Sequence, residues 1–160
     1  MSNYEIRIAL PQDLQGVYKI FSLADTQHRQ AHPEFFRETP DPKDTKDFLL
    51  SSIRSKDAVV FVAEDCEQII GGILAWVRQT PDRSVLVPRT YVSIENLVVA
   101  NAFRHHGIGK ALMEQIHLWS EEHGIQQIQL TVWDFNKCAQ EFYKNLGYEM
   151  LNHRMRKELT

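Results

Sequence analysis

Cysteine is scarce in this chain of 160 residues, and its two copies, Cys66 and Cys138, form no paired spacing. That excludes a disulfide framework and a zinc knuckle, and a reducing compartment fits. An excess of positive charge is also missing. Lys and Arg number 18 against 21 Asp and Glu, a formal net charge of −3, and no stretch gathers a Lys/Arg stripe, so nucleic acid is not an expected partner. No apolar run approaches the length of a membrane span, and Met1 to Leu10 carries no apolar stretch behind a basic head. No membrane is therefore expected, and the cytoplasm is the expected compartment. Repeats, low-complexity tracts and linkers are absent, which gives one domain over residues 1–160. With 43% hydrophobic residues the chain is rich enough to bury one core without staples.

Tyr4, Ile6, Ile8 and Leu10 alternate with Glu5, Arg7 and Ala9, the period of a half-buried strand. Pro11 and Asp13 open a helix whose apolar positions are Leu14, Val17, Tyr18, Phe21 and Leu23, fading through Gln27 to His32 before Pro33. A shorter helix is predicted between Asp44 and Ile53, with Phe48, Leu49 and Ile53 inward. Ala58–Glu64 and Ile69–Val77 read as a hairpin with a four-residue loop, in which Gly71 and Gly72 mark a bulge or a close backbone approach. After the polar connection Gln79–Arg89 comes a fourth strand, Thr90–Val99. A turn over Phe103–Lys110 leads into a helix with Ile108, Leu112, Ile116 and Trp119 inward, ended by Gly124. A fifth strand over Ile125–Trp133, a helix over Lys137–Leu146 stopped by Gly147, and a closing strand from Tyr148 complete the reading. Hairpins early and strand–helix–strand units late predict an α/β (α+β) fold, a mixed sheet with helices on both faces.

The turn between the fourth strand and its helix carries the most chemistry. A helix N-terminus offers unpaired N–H groups and partial positive charge, so an anion is stabilised there without a basic side chain. Arg104-His105-His106-Gly107-Ile108-Gly109-Lys110 supplies such an end. Gly107 and Gly109 let the backbone curl beneath a phosphate, and Arg104 and Lys110 add charge at the rim. The spacing is neither the three-glycine dinucleotide fingerprint nor the Walker loop. A tight strand-to-helix turn with no ligand is the competing reading.

Glu95-Asn96-Leu97-Val98-Val99 followed by Arg104-x-x-Gly107-x-Gly109-Lys110 resembles the acetyl-CoA-binding motif of the GNAT N-acetyltransferase superfamily. Trp133-Asp134-Phe135-Asn136-x-x-Ala139-x-x-Phe142-Tyr143-x-x-Leu146-Gly147-Tyr148 resembles the family's C-terminal motif, at the expected separation. The element order agrees over nearly the whole chain; Pro11 to Arg54 matches by element order alone. The resemblance implies the acyl-CoA N-acyltransferase fold, a twisted mixed sheet whose fourth and fifth strands splay apart. It further implies acetyl-CoA as cosubstrate, no metal, and transfer of acetyl to a primary amine by direct attack in a ternary complex.

Carried over residue by residue, the resemblance puts the pantetheine arm against the main chain of Leu97, Val98 and Val99, one of whose N–H groups would hold the oxyanion. It assigns the diphosphate to the backbone of Arg104, His105, His106, Gly107, Ile108, Gly109 and Lys110. Tyr143 stands where the family carries its general acid, with a plain core tyrosine as the alternative. Glu95 stands where acidic residues of polyamine-type relatives assist deprotonation of an amine whose free pKa is near ~10.4; a solvated strand carboxylate is its alternative. Strand alternation puts Glu95 on the face of Leu97 and Val99 unless a bulge intervenes. Asn136 is an N-cap, a CoA contact or both, and Lys144 reaches a phosphate or is solvated.

His28 and His32 are four apart, but no third ligand follows, so no metal is expected. By analogy with the family, His28, His32, Phe35 and Phe36 border the acceptor pocket, and specificity lies in Gln27–Pro42 and Gln79–Arg89. Cys138 is expected to pack among its helix neighbours. The acceptor reads as a small cationic amine, with a protein amine or a non-catalytic CoA sensor as alternatives. A homodimer is left open.

Overall fold

The computed structural model describes residues 3–160. Five strands lie in chain order across one sheet: β1 (Glu5–Ile8), β2 (Ala58–Asp65), β3 (Gln68–Gln79), β4 (Thr90–Val99) and β5 (Ile128–Leu130). The first four pair antiparallel and β4 pairs parallel with β5, so the sheet is mixed. Helices α1 (Leu14–Ala31) and α2 (Pro42–Arg54) cover one face, and α3 (Ile108–Glu122) and α4 (Lys137–Asn145) the other. Alternate residues of the same strands feed the two cores. Val60, Val62 and Leu74 pack under Val17, Ile20 and Phe21 of α1, whereas Phe61, Ala63, Ile73 and Ala75 pack under Leu112, Met113 and Ile116 of α3. Burial of each large aliphatic side chain contributes roughly 2 kcal/mol.

Gly71 shows why small residues occur here. A Cβ at this position would meet Ile108 Cγ2 and the Val98 carbonyl oxygen, each at 3.2 Å, so the close approach is real. A register shift also falls beside it, between Ala63 and Glu64 of the partner strand, leaving Ile70 as the extra residue on β3.

Several expectations need correcting. Ile8 and Leu10 are exposed while Ala9 is buried, because β1 is an edge strand and its far end packs toward α1, where Arg7 forks onto Asp13 and reaches Glu64. On α1, Leu23 is exposed and Ile20 takes the inward place; on α2, Phe48 is half exposed and stacks on Trp76, with ring centroids 6.4 Å apart. The β2–β3 loop is two residues long, Cys66 and Glu67, both at positive φ (48° and 64°), the geometry of a tight hairpin turn. Strand β5 covers three of the nine residues expected. Ile125 instead closes α3 by donating to Ser120 O at 2.9 Å, and residues beyond Leu130 leave β4. The strand expected from Tyr148 is absent: residues 149–160 form no regular element. With β5 so short there is little edge to pair with, and the segment is held by Arg156, which pairs with Glu34 at 2.8 Å and lies over the Phe35 ring.

Candidate active site

Strand β4 changes face midway. Its partners on β3 run Asn96↔Leu74 and then Ile94↔Ala75, so Glu95 is an extra residue, a β-bulge. Before the bulge Val92 and Ile94 face α3; after it Leu97 and Val99 do, while Val98 turns toward α1. Glu95 is thus removed from the face of Leu97 and Val99. Its carboxylate accepts from Ser93 Oγ at 3.0 Å and lies 3.6 Å from Arg78 Nη2. The parallel ladder to β5 stops one residue earlier, at Ile94↔Leu130. From Glu95 to Val99 the side of β4 that faces β5 has no strand beside it among the described residues, so the fourth and fifth strands splay as the resemblance implies.

The turn into α3 begins where β4 ends. Arg104 Nε donates to Val99 O at 3.1 Å, and His106 Nδ1 lies 2.8 Å from Arg104 O, folding the turn onto itself. His105 (φ 63°) and Gly107 (φ 81°) are both left-handed, with His106 between them. Alternation of this kind gathers successive N–H groups on one side as an anion-binding nest. Gly107 caps the helix without a side-chain acceptor, and only Ala111 N returns to its carbonyl. The residues from Arg104 to Gly107 are exposed, and Lys110 pairs loosely with Glu114 at 3.8 Å. Ile108 is buried, so it offers this end only its main chain. A Cβ on Gly109 would lie 3.5 Å from Phe142, ordinary contact; protein packing alone does not demand glycine there. The open amides fit a diphosphate.

Between the splayed strands lies a cleft of about 110 Å³. Glu95, Asn96 and Leu97 of β4 line it, with Thr131–Trp133 beyond β5, Gln27 and His28 of α1, and Asn136 and Tyr143 of α4. Asn136 Oδ1 accepts from Ala139 N at 3.1 Å, so it caps α4 while lining the cleft. Tyr143 is held by its own helix end. Gly147, at φ 87°, lets Tyr148 N donate back to Tyr143 O at 3.0 Å, and this hook sets the Tyr148 ring edge-on to Tyr143, 5.9 Å between centroids. Tyr148 Oη lies 2.9 Å from His117 Nε2. Burial pushes the Tyr143 phenol up to about 12. Phe142 meets Tyr143 edge-on at 5.3 Å, as an apolar neighbour should.

Aromatic rings crowd the mouth. Trp133 is the hub, with centroids 4.8 Å from His32, 5.4 Å from Phe36, 5.7 Å from Phe35 and 6.4 Å from His28. His28 also stacks on Phe36 at 5.2 Å, and burial lowers its pKa. Of the ring residues singled out on α1 and its loop, His28 lines the cleft; His32 and Phe36 reach it through Trp133. Gln79–Arg89 contributes no lining residue among those described, and its Val85 and Val87 point outward. Cys138 is exposed rather than packed, since the inward face of α4 is taken by Phe142 and Tyr143. Lys144 pairs with Glu141 at 3.3 Å. Sequence reasoning names Gln27 only as the start of a specificity segment and Asn96 and Trp133 only within the motifs, and it misses Thr131, whose polar side chain gives no periodic signal.

The family model for an acetyltransferase (GNAT) domain matches residues 56–150, more than half of the chain. An uncharacterised N-acetyltransferase of Methanocaldococcus jannaschii is 32% identical over 107 residues, 67% of this chain and 41% of that protein. A second, YdgE of Bacillus subtilis, is 31% identical over 74 residues, 46% of this chain and 47% of the relative. The matched stretch is therefore less than half the length of either curated relative. Among solved structures, a mutant of the BH1408 protein from Bacillus halodurans is similar over 98% of this chain and 99% of its own, with 28% identity and a TM-score of 0.87. A predicted acetyltransferase from Clostridium acetobutylicum, solved with acetyl-CoA, shares the fold at 18% identity and a TM-score of 0.74, over 97% of this chain and 96% of its own.

Proposed function

The chain belongs to the GNAT acetyltransferase family, and from that premise we propose that it transfers acetyl from acetyl-CoA to the primary amine of a small molecule by direct attack. The observation that carries this reading is the juxtaposition of an uncapped, glycine-turned α3 N-terminus with an open wedge between β4 and β5 that has Tyr143 in its wall. Acetyl-CoA supplies the thioester whose acyl carbon the amine attacks. The nest from Arg104 to Lys110 binds the diphosphate through main-chain N–H groups, and the free edge of Leu97, Val98 and Val99 pairs with the pantetheine arm. An N–H of that edge also polarises the thioester carbonyl.

Tyr143 holds the proton that the departing sulfur needs. With the phenol at about 12, the proton stays in place across the working range. Once given to the sulfur, that proton is replaced from the new C–N nitrogen, which still carries an extra proton when the tetrahedral intermediate expels the thiolate and, as a protonated amide, is far more acidic than this phenol. Glu95, set aside by the bulge and held by Ser93, receives the proton of the incoming ammonium through water. Side chains from α1, β4 and α4 wall the cleft, which favours a small acceptor over the side chain of a folded protein.

The test is a primary-amine panel read by release of free CoA, with acetyl-CoA binding measured in parallel by calorimetry. Turnover of at least one amine is expected. Acetyl-CoA binding with no CoA released from any amine would overturn the transfer reading in favour of a CoA sensor.

A further inference from the structure

Resting on the acetyltransferase reading of the same cleft, we infer that the acceptor is a primary amine with one positive charge and a flat aromatic body, held against Trp133 and His28. Both rings line the cleft that also contains Glu95 and Tyr143, so a ring lying on them brings its amine arm toward the reacting groups. Their centroids are 6.4 Å apart and Phe36 backs both, at 5.2 Å from His28 and 5.4 Å from Trp133. Buttressed rings of this kind present fixed faces and edges to a third ring, whose offset or edge-on contact favours an aromatic guest over an alkyl chain of equal charge.

Charge argues against a polycation. Glu95 is the single carboxylate among the described residues lining the cleft, and Ser93 and Arg78 already engage it. Two further carboxylates of neighbouring segments are committed elsewhere, Glu34 to His32 and Arg156, and Asp134 to Lys137. Asp25 lines a neighbouring hollow, with Arg29, Phe36 and Arg37, and not the cleft. A polyamine or aminoglycoside needs several acidic partners for its several ammonium groups, and the cleft has one.

The experiment compares phenethylamine, hexylamine and spermidine as acceptors for the full chain, by CoA release and by calorimetric binding. Phenethylamine is expected to exceed both others in kcat/KM by about tenfold, and Trp133→Ala to reduce that advantage to about twofold or less. Trp133→Leu, which keeps apolar volume without a π face, makes the same comparison should the alanine variant fail to fold. A preference for spermidine, or an advantage that survives in both Trp133 variants, overturns the inference. If no amine is turned over, the transfer reading falls by itself. Phenethylamine binding that Trp133→Leu weakens about tenfold then still supports the aromatic site, and absence of binding overturns it.

Discussion

Tyr143 takes its chemistry from where it is buried. No charge beside it accounts for the upward shift to about 12; removal from water does, because the phenolate is the form that loses hydration. A phenol in that state is a poor base and a persistent proton holder. Tyr143→Phe removes the proton and keeps the ring, so kcat should fall about 10²-fold or more while acetyl-CoA affinity stays within about twofold, by CoA release and calorimetry respectively. Equal loss of both would make Tyr143 a packing residue. The sign of the pH dependence follows from the same shift. Because the group stays protonated below its raised pKa, the wild-type rate should show no alkaline fall until the pH nears about 12, whereas an unperturbed tyrosine would produce one near ~10. At this scale the sequence reading was mixed for a physical reason. The places of Tyr143 and the N-cap Asn136 beside the cleft were legible, because both stand in a motif with local geometry. The side on which Glu95 points depends on a bulge fixed by pairing with β3, which no local pattern of β4 reveals.

The end of α4 shows how one backbone position reaches the site. Gly147 sits at φ 87°, and the return bond from Tyr148 N to Tyr143 O depends on that left-handed turn. An L-residue there costs about 1 kcal/mol or more. Space is not the issue, since a Cβ at Gly147 meets nothing within 4 Å. Gly147→Ala should therefore lower Tm by roughly 2–4 °C for a chain of this size. It should also lower kcat more than acetyl-CoA affinity, because Tyr148 no longer steadies Tyr143; a Tm loss with unchanged kcat would separate the hook from the chemistry. Elements with a strong period were legible for the same reason that Gly147 was. The helical stripe from Ile108 through Ile116 and the β2, β3 and β4 runs answer to local propensity and a buried face. The two poorest readings are β5, at the sheet's edge, and the segment after Tyr148. Their apolar residues look strand-like, yet a strand exists only where a partner edge is offered, and the splay withdraws β4 after Ile94.

At the scale of the whole molecule, the two cores share their strands. Phe61, Ile73 and Ile94 face α3 while Val60, Val62, Leu74 and Val98 face α1, so melting either helical layer exposes one side of the same three central strands. We accordingly propose residues 1–160 as one folding unit, with a single calorimetric transition whose measured and van't Hoff enthalpies agree. Two resolved transitions would contradict it. The ligand should act on this unit through both of its proposed anchors, since the α3 nest and the free edge of β4 join the sheet to one helical layer. Acetyl-CoA at 100 times its Kd adds about 2.7 kcal/mol to the folded state, which raises Tm by roughly 5–10 °C. With the nest as the proposed diphosphate site, free CoA should give most of this shift and dephosphorylated pantetheine little of it. A full shift with pantetheine would place the affinity in the β4 edge and leave the α3 N-terminus without a ligand.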